Sequence, residues 1–262
     1  MICRKYPPTA RRLVAAFLAS ILFLMPFSEY CYSGARANIR VCVARDKDRV
    51  LLRIKGPYEI QDINSALTLD KGRSLRNAYI VPTNSGLKLG VKEFKIYGIK
   101  IIPKRDATIF IDKRRFRGIV YIIRTEKLKL LVVNHLDIEK YLYGVLYHEV
   151  PYRWPMEALK AQAIAARTFA LYRIENMRDR DYDVTSDIYA QVYGGRLSER
   201  RRTRKAVDLT RDKVLTYKGR IIPAYYHSMC AGHTENAKNV FNIDLPPLSG
   251  RACRYTLIPC PW

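Results

Sequence analysis

Residues 137–176 read DIEKYLYGVLYHEVPYRWPMEALKAQAIAARTFALYRIEN, and this segment predicts two helices with a proline-bounded break between them. Asp137 suits the N-cap of the first helix, because a short acidic side chain accepts hydrogen bonds from the open amides of the first turn. Pro151 limits that helix, since the residue before a proline avoids helical angles. The second helix is predicted to begin at Pro155 and to end near Asn176. Its many alanines let other backbone approach closely, which predicts a buried central helix.

Glu149 lies at the break, at or just past the end of the first helix. The pair His148-Glu149 begins like the zinc-protease motif HExxH, but Tyr152 stands where the second histidine belongs, so a protease of that kind is excluded. The helix dipole disfavours a charged carboxylate at this end. Glu149 is therefore a candidate general acid, and the alternative is a surface glutamate in a loop.

Two basic residues on the second helix are candidates for partners of this acid. Arg167 sits in the apolar run AIAARTFA, where a buried arginine needs an anionic or carbonyl partner. Lys160 lies on the same helical face. One or both are expected to hold Glu149 or an anionic substrate, unless Arg167 instead caps nearby carbonyls.

Composition indicates a globular, strongly basic protein. The chain has 262 residues, 48% of them hydrophobic, and carries 47 Lys+Arg against 24 Asp+Glu, a formal net charge of +23. Such a charge favours a polyanionic partner: nucleic acid, anionic lipid or the bacterial wall. The basic cluster at 200–205 is most simply a solvated helix face.

Residues 1–37 resemble an export signal. Basic residues precede the apolar run from Leu13 to Phe27, and Ala35-Arg36-Ala37 offers a small-x-small cleavage site. An uncleaved N-terminal anchor is the alternative. Either outcome places the protein in the bacterial envelope, in the periplasm or wall, so the wall is favoured over nucleic acid. The membrane is a partner only through this segment, if it is retained.

The remaining chain predicts an α+β fold. Residues 38–130 alternate short apolar runs with the turn clusters LDKGRS (69–74) and PTNSG (82–86), which indicates an antiparallel, strand-rich N-terminal half. Residues 131–262 are predicted to form a helical and mixed core that carries the groove. Within it, residues 213–227 predict a hairpin that turns at Lys218-Gly219.

Four cysteines follow the export segment, an even number that allows three disulfide connectivities in an oxidising compartment. Cys253 with Cys260 is the simplest pair. A zinc site that joins Cys230 and His233 to those two cysteines is the weaker alternative, because the second pair has the wrong spacing.

Three ordered blocks of this sequence resemble the stage II sporulation protein D and LytB amidase-enhancer family. They are the segment from Val132 to Arg173, the block QVYGG at 191–195 and the block AYYHSMCAGHTE at 224–235. The resemblance covers most of residues 38–262. It implies a role in cell-wall remodelling, either as a lytic transglycosylase of peptidoglycan glycan strands or as a non-catalytic enhancer of a wall amidase.

The resemblance also implies functional residues. Glu149 falls on the catalytic glutamate and Arg167 on its supporting arginine, with no cofactor required. The residues that the family blocks place at the substrate groove are Lys160, Gln191, Tyr193, Tyr226, His227, Ser228, Gly232 and Thr234. A transglycosylase needs no second carboxylate, whereas a hydrolase does, for which Asp183 or Asp187 is the candidate.

Two departures from the family pattern stand out. Ile188, Tyr189 and Ala190 occupy positions where related proteins often carry zinc-associated histidine and cysteine, so no metal is expected. The chain also ends at PCPW, earlier than a family domain is expected to end, which is consistent with a truncated C-terminus.

Overall fold

The computed structural model describes residues 37–177 and 180–253. The predicted export segment lies outside these residues apart from Ala37, and Cys260 lies outside them as well. Among the described residues, no helix combines the length and apolar character needed to cross a membrane.

Most of the strands join one large mixed sheet, and the α+β class predicted from the sequence is confirmed. Its strand order is β11-β1-β10-β9-β6-β2-β3-β4-β5, with β7 on β2 and β8 on β7. The pairs are antiparallel except β1 with β11. The strands are β1 Asn38–Lys47, β2 Val50–Asp62, β3 Thr68–Pro82, β4 Leu87–Leu89, β5 Lys92–Phe94, β6 Gly98–Pro103, β7 Thr108–Ile111, β8 Arg114–Phe116, β9 Ile119–Arg124, β10 Leu130–Asp137, β11 Val184–Thr185, β12 Thr216–Tyr217 and β13 Arg220–Ile221.

The turn predictions have mixed outcomes. PTNSG forms the predicted turn between β3 and β4, where Thr83 and Gly86 exchange backbone hydrogen bonds. LDKGRS, in contrast, lies inside β3, so the turn expected there was wrong. The glycine of that segment, Gly72, lies opposite Tyr58 of β2, and a Cβ atom there would approach the Tyr58 ring to 3.2 Å. This glycine therefore serves close packing between strands rather than a turn.

Four α-helices follow the first ten strands among the described residues: α1 Ile138–Glu149, α2 Met156–Asn176, α3 Arg201–Leu209 and α4 Ala237–Phe241. Single 3₁₀ turns occupy Gly195–Ser198 and Pro246–Leu248. The α1 N-cap is confirmed, because Asp137 accepts hydrogen bonds from the amides of Glu139 and Lys140. The hairpin β12–β13 also turns at Lys218-Gly219, both of which have positive φ.

The core lies between the sheet and the helix pair. Helix α2 is buried as expected: Ala163, Ala166 and Ala170 are fully buried, and they share one apolar cluster with Ile39 and Val132 of the sheet. The predicted division at residues 130 and 131 falls at the start of β10, the strand that leads directly into α1. Strand β10 therefore fixes the position of α1 and of the acid at its end.

Candidate active site

Glu149 is the last residue of α1. The next residue, Val150, is extended, with φ −144° and ψ 149°, so the helix ends two residues before Pro151, within the limit that this proline sets. The Glu149 side chain is half-buried, and its Oε1 accepts a hydrogen bond of 2.9 Å from the backbone amide of Val192. The acid at the break is thus held by a segment far along the chain.

The Tyr226 hydroxyl lies close to the same carboxylate, whose charge acts on the Tyr226 pKa. Gln191 donates from Nε2 to the Tyr226 oxygen over 3.0 Å, and its Oε1 accepts from the Tyr141 hydroxyl at 3.1 Å. Gln191 is 1% exposed, and its Nε2 also donates to the Ala166 carbonyl. Because the Tyr226 oxygen accepts from Gln191, its own proton remains available to a neighbouring acceptor. Gln191 was predicted to contact substrate, but it is buried and instead holds the Tyr226 hydroxyl in position.

Both tyrosines of this network remain neutral donors near neutral pH. Burial raises the pKa of Tyr226 above its ordinary value, and the neighbouring Glu149 charge adds to the effect. Burial likewise raises the pKa of Tyr141, and the neighbouring Tyr226 and Glu149 groups raise it further by a smaller amount. Tyr141 was not predicted from the sequence, and its only signal was an aromatic ring on the apolar face of α1.

His148 is exposed and contacts the 3₁₀ turn Gly195–Ser198. Its Nε2 lies 2.5 Å from the Ser198 hydroxyl. Burial lowers the pKa of His148, and the Arg114 and Arg200 charges act in the same direction against the opposing effect of Glu149. A Cβ atom at Gly194 would lie 2.4 Å from the same Nε2 and 1.7 Å from the Ser198 hydroxyl oxygen, so this contact requires glycine.

Tyr226 also lines a cleft of about 380 Å³. Tyr226, His227 and Thr234, all from the family block at 224–235, line this cleft together, so three predicted site residues share one surface. Two aromatic residues of its wall, Tyr225 and Phe241, stack with ring centroids 3.9 Å apart. An apolar cleft with a few polar groups is typical of ligand-binding sites.

The rest of that block is held against the last described segment. Thr234 and Arg251 form two hydrogen bonds of 2.8 Å, one from each backbone amide. Ser228 is exposed, and Gly232 has φ +96° with open space around its Cα atom. Ser228 and Gly232, predicted from the same block, do not line the cleft.

Arg167 lies in the interior instead of beside the acid. It is 1% exposed and pairs through Nε and Nη2 with both carboxylate oxygens of Glu139, each at 2.7 Å. Its other hydrogen bonds go to the carbonyls of Ala163, Val207 and Lys213. Arg167 therefore joins α1, α2 and α3. Its contacts with backbone carbonyls match the alternative given from the sequence, in which Arg167 caps nearby carbonyls instead of holding Glu149. Glu139 was missed, although a buried arginine signals that a nearby carboxylate is needed.

Two other predicted residues, Lys160 and Tyr193, form their hydrogen bonds with partners other than Glu149. Lys160 forms a half-exposed ion pair of 2.8 Å with Glu157, one turn earlier on α2. Tyr193 is buried, donates to the Asn134 side chain at 3.0 Å and packs on the Tyr141 ring. This burial gives Tyr193 a place in the core rather than at a substrate surface.

The carboxylates considered as hydrolytic partners are engaged elsewhere. Asp183 is buried and accepts three hydrogen bonds from Arg40 of β1. Asp187 accepts from the Thr185 hydroxyl and the Tyr189 amide within its own loop. Glu149 is thus the carboxylate of the network around Gln191 and Tyr226, and Glu235 is the carboxylate of the cleft wall.

The structure describes Cys230 and Cys253 but not Cys260, so it bears on only part of the cysteine predictions. Among residues 37–177 and 180–253, no three histidine, cysteine or acidic side chains form a group that would hold a metal ion. The Cys230 carbonyl accepts from the His233 amide, and the Cys253 amide donates to the Gly232 carbonyl. The Cys253–Cys260 disulfide stays a prediction, since Cys260 lies outside the described residues.

The two-helix unit and the segment that follows it define a known protein class. Residues 126–217 match the family model described as stage II sporulation protein, SpoIID. This match includes Glu149, Arg167 and Gln191. Residues 126–217 thus belong to the SpoIID family, and relatives named amidase enhancer and stage II sporulation protein D support the SpoIID/LytB assignment that the sequence blocks indicated.

Relatives come from several bacteria. An uncharacterized protein of Brachyspira hyodysenteriae is 36% identical over 221 residues, 84% of this chain and 59% of that protein. The amidase enhancer of Bacillus subtilis is 36% identical over 176 residues, 65% of this chain and 24% of the enhancer. Stage II sporulation protein D of Bacillus amyloliquefaciens is 33% identical over 131 residues, 44% of this chain and 38% of that protein. The chain therefore spans less than two thirds of the length of each of these relatives.

Proposed function

We propose that this protein remodels peptidoglycan as a lytic transglycosylase. It would cleave glycan strands between N-acetylmuramic acid and N-acetylglucosamine and leave 1,6-anhydro ends. The observation that carries this proposal is the Glu149 carboxylate, which lies at a helix end, accepts a hydrogen bond from the Val192 amide and neighbours Tyr226, a residue of the cleft wall.

In this reaction Glu149 acts twice. As an acid it delivers its proton to the glycosidic oxygen, and the bond from that oxygen to the muramyl anomeric carbon breaks. As a carboxylate it accepts the proton of the muramyl 6-hydroxyl, whose oxygen forms the new bond to the same carbon. The acid recovers its proton and no water is consumed.

The neighbouring donors suit the second half of this cycle. The Val192 amide and the Tyr226 hydroxyl both stabilise the carboxylate left after proton delivery. The Gln191 amide donates to the Tyr226 oxygen and leaves the Tyr226 proton available to a neighbouring acceptor. The engagement of Asp183 and Asp187 elsewhere favours this cycle over a hydrolytic mechanism with two carboxylates.

The charge and the predicted export segment fit a substrate in the envelope. A formal net charge of +23 attracts the carboxylates and phosphates of a bacterial wall. We propose that the protein is exported to the cell envelope, secreted or anchored through residues 1–37. Peptidoglycan is then its main partner.

A non-catalytic enhancer of a wall amidase is the second candidate function. The observation that favours it is the 36% identity to an amidase enhancer across 65% of this chain. In that case the cleft lined by Tyr226, His227 and Thr234 would bind glycan or position the amidase, and Glu149 would not take part in chemistry. The two functions differ in their dependence on that one side chain.

Mass spectrometry of purified glycan strands after incubation with the protein tests the proposal. The expected products carry 1,6-anhydro ends, and Glu149→Gln is expected to slow their release roughly 10²- to 10⁴-fold, because an amide cannot deliver the proton. The matched control is Glu126→Gln, which changes an exposed glutamate and is expected to leave the rate unchanged.

Other products would contradict the enzyme. Reducing ends would mean hydrolysis, with a second carboxylate. If neither product forms, and a wall amidase runs faster with wild type and Glu149→Gln alike, the enhancer function replaces the transglycosylase.

A further inference from the structure

The outer face of strands β2, β7 and β8 carries an aligned set of cations. Arg53 of β2 lies directly opposite Phe110 of β7, which lies directly opposite Arg115 of β8. Side chains alternate across a strand, so these three project from the same face of the sheet. Neighbours on the other face, such as Ile54 and Ile109, are fully buried in the core.

The cations gather around one aromatic ring. The guanidinium carbon of Arg53 lies 4.0 Å from the Phe110 centroid, and that of Arg115 lies 5.5 Å away. The Lys55 ammonium lies 5.9 Å from the same centroid. These distances are within the range of cation–π contacts, so the ring holds positive charges that would otherwise repel one another.

A fourth cation closes the space beside this ring. Arg196, in the 3₁₀ turn Gly195–Ser198, donates through Nη1 to the Thr108 hydroxyl over 2.5 Å. The resulting cavity of about 340 Å³, here named the cationic cleft, is lined by Lys55, Thr108, Phe110, Arg115 and Arg196.

The positive charge of the cationic cleft is not neutralised by the protein. None of its lining residues is acidic. Within the part of the chain that the structure describes, Arg53, Lys55, Arg115 and Arg196 form no ion pair. Nearby cations behave differently, since Lys104 pairs with Glu59 and Arg117 with Glu199. Converging cations without a counter-charge are the arrangement expected of an anion site.

We propose that the cationic cleft binds a phosphate group. Arg115, Arg196 and Lys55 converge from three segments, and guanidinium forks match the spacing of phosphate oxygens. A phosphate offers three or four oxygens and up to two negative charges to these donors. A carboxylate offers two oxygens and one charge, and so leaves part of the positive charge uncompensated.

This proposal does not depend on the transglycosylase. The cationic cleft is built from β2, β7, β8 and the 3₁₀ turn, whereas the acid accepts a hydrogen bond from Val192 and neighbours Tyr226. Only the turn is shared, since its last residue, Ser198, contacts His148 next to Glu149. The phosphate site can therefore be tested by binding alone.

Calorimetric titration of the full chain with inorganic phosphate, at low ionic strength, tests the site. We expect saturable binding, weakened about tenfold to a hundredfold by Arg115→Gln, since a hydrogen bond to a charged group contributes on that scale. The matched control is Arg76→Gln, which removes one exposed charge from β3 and is expected to leave the affinity unchanged. Lys55→Gln, also at an exposed position, is a second variant in case Arg115→Gln fails to fold.

Two further ligands define the specificity and the source of the phosphate. Acetate is expected to bind at least tenfold more weakly than phosphate. Vesicles of phosphatidylglycerol distinguish a lipid headgroup from a free phosphate: binding to vesicles that is lost in Arg115→Gln assigns the headgroup, and binding of inorganic phosphate only assigns the free ion. The proposal is overturned if phosphate does not saturate, if acetate binds equally well, or if Arg115→Gln and Arg76→Gln weaken binding equally.

Discussion

The buried ion pair of Arg167 and Glu139 provides the sharpest test of how the helices hold the acid. Arg167→Met removes the guanidinium and keeps a long apolar side chain. Glu139, 3% exposed, then loses both of its 2.7 Å contacts. The carbonyls of Val207 and Lys213 lose a donor as well.

The cost of this change follows from the charge left behind. Removing one partner of a buried pair typically costs about 3–5 kcal/mol, because the remaining charge is uncompensated. For a domain of this size, each kcal/mol lowers the unfolding midpoint by about 2–4 °C. We therefore expect Arg167→Met to lower the midpoint by roughly 6–20 °C.

Thermal unfolding followed by circular dichroism measures this shift. The double variant Arg167→Met with Glu139→Leu is expected to recover much of the loss, because no unpaired charge remains. Lys238→Met is the control: it breaks the exposed pair with Asp244 and should cost roughly 0–1 kcal/mol. A variant Arg167→Met that unfolds at the wild-type temperature, yet loses glycan cleavage, would refute the structural role and restore Arg167 as a catalytic residue.

Two further predictions concern the acid network and the sheet. Tyr226→Phe should slow glycan cleavage about tenfold to a hundredfold, because it removes the hydroxyl that lies close to Glu149, whereas Tyr225→Phe keeps a stacking ring and should not; equal rates of the two variants would contradict this. Burial lowers the pKa of His135 from 6.5 to about 4, so the unfolded chain binds a proton that the fold rejects, and the free energy of unfolding should fall as pH drops from 6.5 to 4. Denaturant titrations between pH 4 and 6.5 measure this free energy, which should change less with pH in His135→Gln than in the wild type. If the free energy of His135→Gln changes with pH as steeply as that of the wild type, other groups cause the effect.

Local signals account for what the sequence predicted well. The bounds of α1 and α2 follow from Asp137, Pro151 and Pro155, whose effects act within one turn of each residue. LDKGRS has the composition of a turn, but pairing with the long strand β2 overrides that preference. Position along a helix is therefore predictable here, and strand partnership is not.

The site divides in the same way. The sequence placed Glu149 at a helix end from local rules, and the family resemblance marked Tyr226 as part of the same site. The carboxylate that pairs with a buried arginine depends on packing. The sequence offered Glu149 as the partner of Arg167, whereas in the structure Arg167 pairs with Glu139. The cationic cleft was also beyond sequence reasoning, since its cations are brought together by the pairing of β2, β7 and β8 and by the turn that carries Arg196.

The acid network also bears on the choice between enzyme and enhancer. The family match ends at residue 217, but the hydroxyl that lies close to Glu149 belongs to Tyr226, beyond that match. A glutamate at a helix end is by itself compatible with either function. The buried Gln191 amide fixes the Tyr226 hydroxyl near that glutamate, and a hydroxyl fixed beside an acid serves proton transfer more directly than passive binding of glycan. The Gln191–Tyr226 pair, more than the glutamate, therefore favours chemistry at this site.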